Sequence, residues 1–189
     1  MENKKIFSVK GIVGTGLLLA VEVVLQALSM IIPSTVTINL SLIPITIGAI
    51  IYGPLSGLFL GVMCGAIVLV TPNTVNLFMA TSPVATIFVC LLKTGLAGLL
   101  AGFVYKWLEK KHSIVGSILA SLIVPIVNTG LFAVICYFFF LDALGLKNFW
   151  EIFTVLIGIN FAFELIANVV ICPSLLEVLN HVKKNNPVD

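Results

Sequence analysis

Residues 39–70 read NLSLIPITIGAIIYGPLSGLFLGVMCGAIVLV, 32 positions without a single charged side chain. Whether this stretch forms one helix or two decides the fold. Its first part, from Asn39 to Ile51, has 13 residues and reaches only ~20 Å as a helix, short of the ~30 Å hydrocarbon layer. Tyr52-Gly53-Pro54 then interrupts the apolar run. Length alone leaves both readings open, so the answer has to come from the rest of the chain.

The 189 residues are 60% hydrophobic and 10% charged, and the mean hydropathy is +1.20. Soluble domains carry about a quarter charged residues, and one core of this size cannot hide so much apolar surface. The composition excludes a soluble enzyme, a disordered chain and a nucleic-acid binder, and predicts an all-α integral membrane protein with a single domain over residues 1–189. Further apolar stretches run over 11–32, 79–105, 113–141 and 149–179.

The lysines settle the count. Lys4, Lys5 and Lys10 precede the first stretch, Lys106, Lys110 and Lys111 follow the fourth, and Lys183 and Lys184 follow the last. Lysine excess marks cytoplasmic flanks, so these three groups share a side and an even number of spans separates them. That condition is met when Gly53-Pro54 is a tight turn between two short helices. The expected architecture is six transmembrane helices with both termini cytoplasmic. Connections 33–38, 71–78 and 142–148 then lie outside, the first two rich in Pro, Ser, Thr and Asn and able to form a lid over a polar helix face.

Polar groups at membrane depth are costly and point to function. Asn160, Glu164 and Asn168 recur every four residues and share one helix face. Asn128 stands one turn after Pro125, a residue that frees a backbone carbonyl. Lys93 falls near the middle of the fourth stretch, and Asn39 and Asn76 flank the outer connections. These seven residues are the candidate substrate ligands. The asparagines also suit interhelical hydrogen bonding, and Lys93 with Glu164 suits an internal ion pair. Glu22 and Gln26 share a face of the first helix, where Glu22 reads as a helix-packing or partner-facing group.

Gly57, Gly61 and Gly65 repeat every four residues, Gly95, Gly98 and Gly102 mark the fourth helix, and Gly16 with Ala20 gives small-xxx-small spacing in the first. Such stripes let helices approach closely, and that of the first helix also suits docking of another membrane subunit. The four cysteines fall in apolar stretches without metal spacing and read as small buried hydrophobes. No catalytic, cofactor or metal motif is present, and no nucleotide-binding loop. A self-contained proton-coupled carrier using Glu164 and Lys93 is the alternative to a binding subunit.

Asn39-Leu40-Ser41-Leu42-Ile43-Pro44, Ile51-Tyr52-Gly53-Pro54-Leu55-Ser56-Gly57 with Gly61, and Pro125-Ile126-Val127-Asn128-Thr129-Gly130 resemble the substrate-binding S-component of an energy-coupling factor (ECF) vitamin transporter. The resemblance covers about residues 8–180 and is greatest to the pantothenate type, with folate, pyridoxine and riboflavin types as alternatives. It implies a bacterial plasma-membrane protein, not an enzyme, that binds a vitamin from outside. Its implied partners are a transmembrane coupling subunit and two cytoplasmic ATPases. Gly16 and Ala20 stand where that family has a pair of small residues, typically alanines, that docks the coupling subunit.

Overall fold

The computed structural model describes residues 8–31, 39–142, 144–152, 154 and 158–185. The helices are α1 (Val9–Ile31), α2 (Leu42–Tyr52), α3 (Pro54–Leu69), α4 (Pro83–Leu108), α5 (Ser113–Phe139), the one-turn α6 (Phe149–Glu151) and α7 (Gly158–Asn185). No strand occurs among the described residues. The 33–38 connection and Lys4 and Lys5 lie outside the described residues.

Gly53 and Pro54 break the 39–70 run as the lysine argument requires. Gly53 has φ +97°, a conformation that glycine adopts freely. Pro54 then opens α3, where its missing N–H costs nothing and its fixed φ suits the helix. The nitrogens of Ser56 and Gly57 donate to the Gly53 carbonyl at 3.1 and 3.2 Å. Helix α2 is short because it is central rather than lipid-facing. It packs against α1, α3, α4, α5 and α7, and Leu42, Ile45 and Ala49 are wholly buried.

The glycine stripes are intramolecular. A Cβ added at Gly57 would strike the Gly98 carbonyl, one at Gly61 the Thr94 carbonyl, and one at Gly65 the Cys90 carbonyl. Each step of four along α3 matches a step of four backward along α4, so the two helices run antiparallel with backbones in contact. The same reading of contacts orients the others. Thr129 with Glu164 and Ser121 with Cys172 set α5 and α7 antiparallel, and Tyr105 with Ser113 and Lys93 with Phe132 set α4 and α5 antiparallel. Thr15 bonded to Ser56 at 2.9 Å, together with Glu22 facing Cys64, sets α1 parallel to α3. The N-terminus of α1 and the C-termini of α4 and α7 therefore share one end. Lys10, Lys106, Lys110, Lys111, Lys183 and Lys184 all belong to that end.

Four helices are long and apolar enough to cross a membrane, at Val9–Met30, Pro83–Leu108, Ser113–Phe139 and Asn160–Glu177, while α2 and α3 are shorter apolar helices. Trp107 is exposed at the lysine-bearing end, and Phe138, Phe139 and Trp150 are exposed at the opposite end. Aromatic residues at both ends of an apolar bundle match the two membrane–water boundaries. All four cysteines are free and buried, as expected of small apolar fillers.

The 71–78 connection is partly helical. Residues Thr74–Met79 form a π-helical turn, with the Thr71 hydroxyl donating to that of buried Thr74 at 2.9 Å. Two threonine side chains and apolar Phe78 give this segment enough local hydrogen bonding and packing to stay helical.

Candidate functional site

The polar residues gather in the half of the bundle away from the lysine-bearing end. Helix α7 carries Glu164, Asn168 and Cys172 as a buried stripe of four-residue spacing, with Asn160 half-buried one turn earlier. Asn168 is committed within the protein. Its Oδ1 accepts from the Thr46 hydroxyl at 2.8 Å, and its Nδ2 donates to the Glu164 carbonyl at 3.1 Å. It ties α7 to α2 and holds the neighbouring Glu164 in place, which is the interhelical role open to these asparagines.

Glu164 is buried, and its carboxyl faces the Asn39 backbone, the Thr129 hydroxyl and the field of Lys93. Residues from α4, α5, α7 and the segment before α2 thus converge on one centre. Among the described residues Lys93 makes no direct ion pair. Its Nζ instead stands 4.7 Å from the centroid of the Phe132 ring, a cation–π geometry. Phe132 packs edge-on against Phe78 at 5.8 Å, and Phe78 against Phe140 at 5.1 Å. Phe78 belongs to the π-helical turn, so the 71–78 connection packs an aromatic ring against the Phe132 that faces Lys93. The sequence has 13 phenylalanines and no spacing that singles out these three, so this packing was not legible beforehand.

Asn128 is buried on α5, and its Oδ1 has no hydrogen-bond partner among the described residues. The Oδ1 of Asn160 is likewise buried and unpartnered. Asn39 contacts the Ser41 hydroxyl through its Oδ1 at the start of α2. Asn76 lies apart: it is exposed on the π-helical turn and outside the buried centre. Glu22 takes the helix-packing side of its sequence reading rather than the partner-facing one. It is wholly buried and turned inward toward Cys64 of α3. Gly16 and Ala20 are exposed, and a Cβ on Gly16 would meet nothing within 4 Å.

A family model described as ECF transporter, substrate-specific component, matches residues 10–176. The chain belongs to that family. The match spans all the helices that build the polar centre, including α1 and its exposed glycine. No curated protein and no solved structure matches the chain. An ECF substrate-specific component is the substrate-binding subunit of a transporter and not an enzyme, which accords with a site of hydrogen-bonding groups rather than a nucleophile and base. Membership also implies a small-molecule substrate and a membrane complex with coupling and ATPase subunits.

Proposed function

We propose that this chain captures a small water-soluble vitamin, pantothenate in the first instance, for an ATP-driven importer of the bacterial plasma membrane. In this reading the six helices all span, with both termini cytoplasmic, and the polar centre opens to the outside. The observation that carries it is the set of unpartnered acceptors beside a buried cation. Among the described residues Asn128 Oδ1 and Asn160 Oδ1 have no partner, and Lys93 is a buried cation at the centre. Interiors rarely leave such groups unsatisfied, because each costs about 1–3 kcal/mol, so the centre is shaped for a guest. Pantothenate offers an amide N–H and two hydroxyls for the acceptors and a carboxylate for Lys93, which is shared with Glu164.

A thermal-shift panel of pantothenate, folate, pyridoxine and riboflavin on the detergent-solubilised chain tests this. A ligand at 100 times its Kd stabilises the folded state by ~2.7 kcal/mol, so the matching vitamin raises the unfolding midpoint. Lys93→Ala and Asn128→Ala should each weaken that binding roughly tenfold or more. Asn128→Ala carries a second signature: it removes an orphaned acceptor, so the ligand-free protein should hold or gain stability while affinity falls. A panel without any shift overturns the reading. Unchanged affinity in both variants moves the site elsewhere.

A further inference from the structure

Glu22 stands outside every role assigned so far. It is 0% exposed within α1, and among the described residues neither carboxyl oxygen has a hydrogen-bond partner of normal geometry. Four positions on, Gln26 shares its face and is also buried, with its Oε1 accepting from Ser41 at 3.0 Å. Ser41 Oγ contacts Asn39 Oδ1 as well, and lies 3.2 Å from Cys64 Sγ. A hydroxyl has one proton, so in this corner Ser41 can donate to only one of these acceptors, and both Glu22 carboxyl oxygens stay without a donor among the described residues.

The corner is continuous with the centre above. The Cys64 thiol faces Glu22 and lies in the fields of both Glu22 and Lys93. Asn39 joins Ser41 on one side and Glu164 on the other. Depth agrees. Glu22 is nine residues from the end of α1 at Ile31, about 14 Å, and Lys93 is ten from the start of α4 at Pro83, about 15 Å, both measured from the same end of the bundle. Nor does Glu22 form an ion pair with Lys93 among the described residues, while the field of Lys93 acts on Glu164.

We infer that Glu22 is a specificity-determining residue of the ligand centre, accepting hydrogen bonds from hydroxyl groups of the bound molecule. This rests on the reading of the chain as a vitamin-binding subunit and narrows its ligand to a small hydroxyl-bearing compound. With Lys93 already facing Glu164, the centre holds no surplus positive charge. Recognition then depends more on the ligand's donors than on its carboxylate, and helix α1 contributes to the site through its buried face.

The test is a two-by-two titration. Wild-type chain and Glu22→Met are each titrated with pantothenate and with its analogue lacking both hydroxyls. The expected result is a loss of at least about tenfold for pantothenate in Glu22→Met, and analogue affinities that agree within about twofold. Glu22→Gln, which keeps one carbonyl acceptor, falls between, and it replaces Glu22→Met in the cycle should that variant fail to fold. Pantothenate affinity unchanged in the variant overturns the inference, as does an equal loss for both ligands, which marks a purely structural effect. The wild-type titration separates the two levels. Binding without any Glu22 effect retires this inference alone, whereas no pantothenate binding by the wild type retires it together with the pantothenate reading.

Discussion

Gly16→Leu or Ala20→Leu should abolish vitamin accumulation by the assembled transporter, while the purified variants bind vitamin with affinity within about twofold of wild type. The two residues lie one turn apart on the exposed side of α1, alongside exposed Ile12, Val13 and Leu17. At 100° per residue Glu22 is about 160° around the helix from Ala20, so the outward and inward faces are separate surfaces. A Cβ at Gly16 meets nothing within 4 Å, so a leucine there projects from the exposed side of α1 away from the buried site. It would hold a partner helix several ångströms away and forfeit the close backbone approach that small residues permit. Uptake in vesicles with coupling and ATPase subunits, beside equilibrium binding by the purified chain, reads both halves. Loss of binding in these variants, or normal uptake, contradicts a docking role for this face.

Gly61→Leu should fail to give folded protein, and Gly61→Ala should lower stability by about 1–3 kcal/mol, the usual cost of overpacking a tight interior. At this position a Cβ would penetrate the Thr94 carbonyl and come within 2.8 Å of the Gly95 nitrogen. Both obstacles are backbone, so no side-chain rotation relieves them and α3 must move off α4. Thr94 adjoins Lys93, so such a shift also displaces the cation of the binding centre. Gly130, exposed and with nothing within 4 Å of an added Cβ, is the matched control, and Gly130→Ala should hold or gain stability, because alanine favours the interior of a helix over glycine. Thermal unfolding in one detergent compares the three. A Gly61→Ala midpoint equal to wild type would show that the α3–α4 contact is looser than its geometry.

Much of this was legible in the sequence. Gly53-Pro54 marked the hairpin because glycine reaches a backbone conformation that ends one helix and proline's fixed φ begins the next. Fourfold spacing placed Glu164 and Asn168 on one face, and the structure buries that face. The inward turn of Glu22 was not legible. Helix α1 is apolar on nearly all sides, so periodicity shows that Glu22 and Gln26 share a face without showing which face meets the protein. The commitment of Asn168 to Thr46, 122 positions away, and the stacking of Phe78 on Phe132 are tertiary pairings that no local pattern encodes. Asn76 was drawn toward the site by composition alone, and the π-helical turn instead packs Phe78 against Phe132 and leaves Asn76 exposed.

The central claim is that this chain binds and its partners drive. Uptake of labelled pantothenate into vesicles measures it most directly, with the chain alone and with coupling and ATPase subunits plus ATP. The account predicts saturable binding but no accumulation by the chain alone, and accumulation once partners and ATP are present. Concentrative, ATP-independent uptake by the chain alone, driven by a proton gradient and lost in Glu164→Gln, would contradict it.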